Sequence, residues 1–352
     1  MTFRNRTLAA SAVVALASAV SVPALAAGTP AGTQITNTAG VTYTINSIAQ
    51  TGSSATDTLT VDRVVRFTLV ETGGVTTVVT PGQTLASAPF TLTNTSNAPL
   101  DFGLAAAQVS GGLAAHGGMD SFDLTGGAIY NDVNNNALYD SGTDTLIGHL
   151  DEVPADGIRN FLYVADVPAG LAHAQLAGVT ITATAQEAGT VGTQGAIVTQ
   201  TSGANTIGLD TVFDDGQGVT DLARDGKLSV ADDFTVTNAT VTISRTNKII
   251  QNIVEGTTNA KAIPSALVEY CMIVSNAANS ADAANLTITD QMASTLTYDS
   301  SFGVWVNGTV TNGVCNNDGT KTGSHAAGQI TGTIGDLPSG TERTVRYRAT
   351  VN

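Results

Sequence analysis

The chain has 352 residues and a formal net charge of −15, with 14 basic against 29 acidic side chains. Such an acidic surface repels nucleic acid and anionic lipid, so we expect no nucleic-acid partner. Hydrophobic residues make up 42% of the chain, which argues against intrinsic disorder, and the length suggests about two domains.

The N-terminal pattern predicts a secretory signal peptide over residues 1–26. Two arginines within the first six residues precede an apolar run from Leu8 to Val22, and a small-x-small sequence then ends at Ala26. The run is too short to span a bilayer, which takes about 20 apolar residues, and no later segment is long and apolar enough. We therefore expect export to the periplasm, the cell surface or the exterior, with no integral membrane segment in the mature chain.

Short segments in which polar and apolar residues alternate recur along the chain and predict β-strands. They are GVTYTINSI (40–48), DTLTVDRVVRFTLVE (57–71), PFTLTNTS (89–96), GVTITATA (178–185) and DFTVTNATVTISRT (233–246). Clusters of Gly, Asn, Asp and Pro between them are typical of turns, and no segment sustains a capped helical period. The pattern predicts an all-β protein. Since only 5% of residues are aromatic, we expect cores built mainly from Val, Ile, Leu and Ala.

A weak internal repeat predicts two domains. Residues 90–106 (FTLTNTSNAPLDFGLAA) are similar to 270–289, and residues 164–185 (VADVPAGLAHAQLAGVTITATA) are similar to 334–351. The same pair in the same order indicates two copies of an Ig-like antiparallel β-sandwich, the first enlarged by insertions. We place the first domain at 27–242 and the second at 243–352, with a connection between Ser244 and Ala262.

The second predicted domain resembles a family of bacterial surface repeats known as "domain of unknown function eleven". The resemblance covers residues 262–352, and its pattern is carried by Tyr270, Asn276, Thr289-Asp290, Thr297-Tyr298, and Leu337 with Gly340. The family usually has Leu-Pro just after the Thr-Asp pair, where this chain has QMAS. The resemblance implies an Ig-like sandwich in an exported or surface protein, and it implies no catalytic mechanism.

The segment DVNNNALYDSGTD (132–144) has the spacing of a calcium loop. Oxygen ligands are expected at alternate positions, and the chain offers Asp132, Asn134, Asn136, the backbone carbonyl of Leu138, Asp140 and Asp144. Ala137 stands where an EF-hand needs Gly, so the loop resembles instead the DxNxN calcium loops of bacterial surface β-domains. We expect a structural Ca²⁺ ion. The alternative is a cluster of Asx turns without an ion.

The two cysteines, Cys271 and Cys315, predict a disulfide because the chain is expected to be exported. The bond would close a loop of about 45 residues and add on the order of 3–4 kcal/mol to stability in the chain-entropy model. The alternative is two buried thiols.

The sequence carries no recognisable catalytic constellation. The four histidines (His116, His149, His173 and His325) are isolated in sequence from one another and from the cysteines, and no HExxH, GxSxG or P-loop motif is present. The acidic segment from Phe213 to Asp233 matches no standard metal loop and is interpreted as a solvated connection. We expect no enzymatic activity.

These observations favour an exported, non-enzymatic structural or adhesive cell-surface protein, whose partners are itself or other surface components. One alternative is a self-assembling surface-layer or filament subunit, in which residues 27–48 complete the sheet of the next subunit by strand addition. Whether that segment packs against its own domain discriminates the two. A weaker alternative, a carbohydrate-binding module, usually exposes a row of aromatic side chains, in which this chain is poor.

Overall fold

The computed structural model describes residues 28–352, and the predicted signal peptide lies outside the described residues. These residues form strands and no helix, so the prediction of an all-β sandwich fold is confirmed. Because the described part of the chain is free of helices, it holds no membrane-spanning helix.

The first element of the described chain is a long hairpin. Its strands are β1 (Gln34–Val41), β2 (Thr44–Ile45), β3 (Ile48–Ala49) and β4 (Ser53–Thr60). β1 pairs with β4, and β2 pairs with β3 at the tip, where Asn46 and Ser47 take the positive φ of a two-residue turn. We call Gln34–Thr60 the N-terminal hairpin. Among the described residues, its strands join no other sheet.

The first sandwich is built from the next strands of the chain. They are β5 (Arg63–Val65), β6 (Phe67–Glu71), β7 (Thr77–Val79), β8 (Ala86–Asn94), β9 (Leu100–Gln108), β10 (Thr125–Asn131), β11 (Thr145–Leu146), β12 (His149–Val153), β13 (Ile158–Asp166), β14 (Leu176–Glu187), β15 (Thr211–Phe213) and β16 (Lys227–Val236). One sheet has the order β11-β10-β13-β8-β6 and the other β12-β9-β14-β16-β7. Pairing is antiparallel except at β16–β7 and β15–β5.

The core between these two sheets is more aromatic than the composition suggested. Burial alternates strictly along β8, as expected for a strand with one face on a core. Five of the nine phenylalanines of the chain are at most 2% exposed here: Phe67, Phe90, Phe102, Phe161 and Phe234. The 5% aromatic content is low as an average, but it is concentrated where the two sheets meet.

The second sandwich comprises the remaining strands. They are β17 (Val241–Gln251), β18 (Leu267–Asn276), β19 (Ala283–Gln291), β20 (Leu296–Tyr298), β21 (Trp305–Gly308), β22 (Val310–Thr311), β23 (Val314–Cys315), β24 (Ser324–Ala326), β25 (Gln329–Leu337) and β26 (Glu342–Val351). The larger sheet has the order β17-β18-β26-β20, with β21 also on β26, and the smaller has the order β19-β25-β24. The predicted boundary at residue 243 falls inside β17, and residues 244–251 are strand rather than connection.

The second core is centred on Tyr347, which is fully buried. Its hydroxyl donates to Asp290 Oδ2 at 2.6 Å and accepts from Arg245 Nη2 at 2.9 Å. Burial is the main reason that the pKa of Tyr347 is raised well above its ordinary value, and the bond to Asp290 adds to it. The phenol therefore stays neutral, and its hydrogen bond to Asp290 links β26 of the larger sheet to β19 of the smaller one.

A buried asparagine at an equivalent position closes each of the two sandwiches. Asn94 at the end of β8 donates from Nδ2 to the Val153 carbonyl at 2.9 Å, and Asn276 at the end of β18 donates to the Leu337 carbonyl at 3.0 Å. Both side chains are at most 2% exposed. Each amide thus links one sheet to a strand end of the other, which supports the internal repeat.

These contacts align the repeat differently from the sequence comparison. Val153-Pro154, not the VADVPAG segment (164–170), is the counterpart of Leu337-Pro338, because each lies at the end of the strand that the buried asparagine reaches. Strand pairing agrees, since β8 pairs with β13 as β18 pairs with β26. Val153-Pro154 and Val167-Pro168 each precede a strand, so sequence similarity alone did not show which of them corresponds to Leu337-Pro338.

The predicted disulfide is confirmed. Cys271 in β18 is bonded to Cys315 in β23, with Cα atoms 6.2 Å apart. The bond fixes the small β22–β23 hairpin against the outer face of the larger sheet of the second sandwich.

Candidate functional site

The predicted calcium loop connects β10 to β11 and is folded around two buried carboxylates. Asp132 and Asp144 are 5% and 7% exposed. Asp132 accepts the backbone N–H groups of Asn136 at 3.2 Å and Ala137 at 2.9 Å. Asp144 accepts the N–H groups of Val133 at 3.1 Å and Asp140 at 2.7 Å. These two side chains hold the loop closed.

The other predicted ligands converge at one point on the surface. The side-chain amides of Asn134 and Asn136 donate to the same oxygen, Asp140 Oδ2, at 2.8 and 2.7 Å. These bonds lower the pKa of Asp140 below its ordinary value, the bond from Asn134 contributing most. Leu138 directs its backbone N–H to Asn136 Oδ1 at 2.9 Å, and its side chain is exposed.

The loop therefore divides the predicted ligand set into two groups. Three side chains (Asn134, Asn136 and Asp140) meet at the surface, while Asp132 and Asp144 are engaged by backbone amides. The hydrogen bonds are those of an Asx-turn cluster, and calcium binding stays a prediction.

The acidic segment from Phe213 to Asp233 is a solvated connection only in part: Asp214 and Asp225 are exposed, but the interpretation is wrong for its three buried aspartates. Asp215 is buried and accepts the N–H groups of Asp225 and Gly226, each at 3.1 Å. Asp232 and Asp233 are fully buried within β16, a strand with neighbours on both sides. The sequence signal was two consecutive acidic residues directly before the alternating apolar run FTV, which belongs to a strand rather than to a loop.

Two histidines that are isolated in sequence lie beside carboxylates in the structure. His116 lies within 3.5 Å of both Asp232 and Asp233, and His149 Nε2 is 3.6 Å from Asp151 Oδ1. Sequence reasoning missed the first group because more than 100 residues separate its members. The other two differ: the ring of His325 stacks on Tyr298, and His173 is not grouped with carboxylates among the described residues.

The N-terminal hairpin is exposed on both faces and has two different sides. Residues that are paired across the strands lie on one face, so Ile35 with Leu59, Asn37 with Asp57, Ala39 with Ala55 and Val41 with Ser53 share a side. We call it the apolar side after Ile35, Leu59 and Val41, although the polar Asn37–Asp57 pair lies within it. The opposite side is a ladder of threonines, in which Thr36 bonds Thr58 at 3.1 Å and Thr38 bonds Thr56 at 2.9 Å. Ile35, Val41 and Leu59 are 46–56% exposed, so the apolar side is not covered by the described chain.

The base of the N-terminal hairpin is bonded to the first sandwich, although its strands are exposed along their length. The nearly buried Asn97 donates from Nδ2 to the carbonyls of Thr29 at 3.2 Å and Asp62 at 2.8 Å, and its Oδ1 accepts the Val64 N–H at 2.8 Å. The hairpin is therefore held at its root by the first sandwich and projects from it.

β17 is an edge strand of the second sandwich with a partly uncovered inner face. In register, Ile243 lies beside Val274, which is 3% exposed and belongs to the core, but Ile243 itself is 60% exposed. The smaller opposing sheet reaches β17 at Arg245, which is paired with Asp290 of β19 at 3.0 Å, but it leaves Ile243 exposed. The edge of β17 that faces away from β18 has no neighbouring strand in the part of the chain that the structure describes.

No protein-family model matches the chain, and no curated protein matches it. The resemblance of residues 262–352 to the surface repeat family therefore stays an expectation.

Several solved structures are similar in fold at low identity. One is named BspA_C_mut, with 8% identity, a TM-score of 0.32, and coverage of 82% of this chain and 90% of that chain. Another is the T6 backbone pilin of serotype M6 Streptococcus pyogenes, with 11% identity, a TM-score of 0.24, and coverage of 83% and 54%. A protein of Corynebacterium diphtheriae described as membrane-anchored has 10% identity, a TM-score of 0.20, and coverage of 91% and 89%. TM-scores this low carry no argument about function, which rests on the surfaces described above.

Proposed function

We propose that the protein is an exported, non-enzymatic structural component of the cell exterior, and that it assembles by docking its N-terminal hairpin on β17 of a second copy. The observation that carries this proposal is the hairpin itself, which projects from the first sandwich with its apolar side uncovered. Packing against the chain's own domain would have favoured a monomeric structural or adhesive protein instead.

The hairpin needs a partner on physical grounds. A two-stranded ribbon alone is marginally stable in water, because it buries little apolar surface. Docking on a sheet edge would satisfy the free backbone groups of one strand and cover its apolar side chains at the same time. At 8 residues each, β1 and β4 are short enough to pair fully along the 11 residues of β17.

Charge also favours β17 as the acceptor. The hairpin contains one charged residue, Asp57, whereas β17 carries Lys248 and no acidic residue, and its Arg245 is already paired with Asp290 at 3.0 Å. In a chain with twice as many acidic as basic side chains, such a strand is an unusual surface. Opposite charges on the two surfaces would fix the register of docking rather than add much affinity.

The remaining features suit a component that must persist outside the cell. The disulfide braces the second sandwich, and we propose that Ca²⁺ braces the exposed loop of the first at Asn134, Asn136 and Asp140. The proposed absence of catalysis rests on the sequence, which lacks the usual nucleophile and metal motifs.

Light scattering of the mature chain tests the proposal. We expect concentration-dependent association up to about 100 µM, a range that covers weak interfaces. Ile35→Asp, on the apolar side, should return the protein to a monomer, because it removes an apolar contact and adds a second carboxylate to the side that already carries Asp57. Thr36→Asp is the matched control on the threonine side and should still associate.

Two results would count against the proposal. A wild-type protein that stays monomeric throughout this range would remove the assembly function. Equal association of Ile35→Asp and Thr36→Asp would show that some other surface is used.

A further inference from the structure

We propose that the first sandwich contains a binding site for one divalent transition-metal ion, with His116, Asp232 and Asp233 as its ligands. The site lies where three parts of the chain meet: the end of β6, the loop after β9, and β16. It is separate from the loop at residues 132–144 and from the N-terminal hairpin.

The ligand atoms are spaced as they would be around one ion. His116 Nδ1 lies 3.5 Å from Asp232 Oδ1 and 3.4 Å from Asp233 Oδ1. Two ligands bonded to a tetrahedral zinc at about 2.1 Å are roughly 3.4 Å apart, so these separations fit a shared ion. A carboxylate oxygen of Glu71, one of Asp232 and a ring nitrogen of His116 also lie within 4.8 Å of one another.

Unpartnered oxygens inside the protein provide the independent observation. Asp232 and Asp233 are both fully buried, and neither Asp232 Oδ2 nor Asp233 Oδ1 has a hydrogen-bond partner. Buried carboxylate oxygens are normally hydrogen-bonded or bound to a metal, because an unpaired buried charge is strongly disfavoured. The orphaned Asp233 Oδ1 lies 3.4 Å from His116 Nδ1. The Asp232 oxygen at 3.5 Å from the same nitrogen is Oδ1, which accepts the Asp233 N–H at 2.7 Å.

The surrounding bonds fix the ligands in place. The backbone N–H of His116 donates to Asp233 Oδ2 at 2.7 Å, which positions the imidazole over the two aspartates. Glu71 is held by the backbone N–H groups of Gly73 and Gly74, and its Oε2 lies 3.9 Å from His116 Nε2. A carboxylate on the far side of an imidazole is the usual means of orienting a metal-bound histidine.

Electrostatics favours a cation at this position. Three carboxylates, from Glu71, Asp232 and Asp233, lie within 3.9 Å of one imidazole, and a divalent cation would offset this excess of negative charge. Ca²⁺ and Mg²⁺ prefer all-oxygen ligands, whereas an imidazole with carboxylates suits Zn²⁺ or Mn²⁺. A first-row divalent ion is therefore the chemical class that this donor set selects.

The second histidine–carboxylate group offers an internal comparison. His149, Asp101 and Asp151 also lie within 4.8 Å of one another. There, however, both oxygens of Asp101 already accept backbone N–H groups, from Glu152 at 2.8 Å and Gly195 at 3.0 Å, and the atoms without a partner are His149 Nε2 and Asp151 Oδ1. The two histidine side chains are similarly exposed, at 25% and 20%, so His149→Gln is a matched control for His116→Gln.

Calorimetric titration of Zn²⁺ and Mn²⁺ into the chelator-treated mature chain tests the proposal, with millimolar Ca²⁺ present to fill any all-oxygen site. We expect one ion per chain for the wild type and for His149→Gln. His116→Gln and Asp232→Asn should each weaken binding by at least about tenfold, as ligand-shell changes do. No binding by the wild type, or equal binding by all variants, would overturn the proposal.

Thermal melts guard against a folding defect in Asp232→Asn. Without metal, this variant should melt no lower than the wild type, because a buried unpaired carboxylate has been removed. With Zn²⁺ or Mn²⁺, the melting temperature of the wild type should rise and that of the variant should not. A rise of the same size in both proteins would also overturn the proposal.

Discussion

At the scale of single residues, buried amides decide how the two sandwiches close. Asn276 donates to the carbonyls of Ala281 at 2.8 Å and Leu337 at 3.0 Å, and its Oδ1 accepts from Ser280. Asn94 makes the corresponding bonds in the first sandwich, to the carbonyls of Ala98 at 3.0 Å and Val153 at 2.9 Å. These bonds matter because each satisfies a backbone carbonyl at a point where a strand ends and the chain leaves the sheet.

Removing either amide should destabilise the fold. We predict that Asn276→Ala lowers the free energy of unfolding by about 2–3 kcal/mol, because it leaves buried carbonyls unpaired. Asn247→Ala, at an exposed position of β17, should change it by less than about 0.5 kcal/mol. Urea denaturation of both variants checks this. Equal effects would mean that the buried amide contributes no more than a surface side chain.

The convergence of Asn134, Asn136 and Asp140 makes calcium binding testable at one residue. At about 5 mM Ca²⁺ and a dissociation constant near 0.5 mM, the stabilisation would be about 1.4 kcal/mol. We predict a melting temperature about 2–5 °C higher with Ca²⁺ than with chelator.

Asp140→Asn should abolish this shift without opening the loop, because the backbone N–H bonds to Asp132 and Asp144 remain. Asp123→Asn, at an exposed position outside the loop, should leave the shift unchanged. A shift that survives Asp140→Asn would place the calcium elsewhere. No shift in the wild type would leave the loop as a cluster of Asx turns.

At the scale of elements, the β22–β23 hairpin covers the outer face of the second sandwich. Beneath it, Arg346 is 3% exposed, donates to Asn317 Oδ1 at 2.9 Å and pairs with Glu269 at 3.3 Å. Arg348 also pairs with Glu269, at 2.8 Å, and lies over the ring of Phe302. A buried arginine needs this cover, and the disulfide keeps it in place.

Loss of the disulfide should therefore lower stability measurably. We predict that the double variant Cys271→Ala/Cys315→Ala loses about 3–4 kcal/mol in urea denaturation. Wild-type protein treated with a reductant should fall by a similar amount, since both changes remove the same cross-link. A double variant that is as stable as the oxidised wild type would contradict this.

The elements also show what the sequence could predict and what it could not. Alternation identified β8 and β14, because a strand with a periodic pattern carries its own signal. The single strands predicted at 40–48 and 233–246 are wrong in extent: the first is the tip of the N-terminal hairpin, and the second is divided between β16 and β17. Alternation could not show that Ile243 of β17 lacks cover, since its exposure depends on the width of the opposing sheet. Nor could it place His116 beside Asp232, because that contact arises from the pairing of distant strands.

At the scale of the whole molecule, the two hydrophobic cores share no residue, and each closes around its own buried asparagine. The repeat was visible in sequence, but its alignment depended on which of two similar Pro-containing turns the asparagine reaches. The chain carries both surfaces of the proposed interface, the N-terminal hairpin as the proposed donor and β17 as the proposed acceptor. A molecule with both can form a head-to-tail series of copies.

The most direct measurement mixes two variants, each of which keeps one half of the proposed interface. In one, residues 34–60 are replaced by a short glycine linker, which the paired backbone of Gly32, Thr33 and Val61 can accept. In the other, Ile243→Asp blocks β17. The account predicts that each variant alone is monomeric and that an equimolar mixture forms a one-to-one dimer in light scattering. A mixture that stays monomeric, while the wild type associates, would contradict docking of the hairpin on β17.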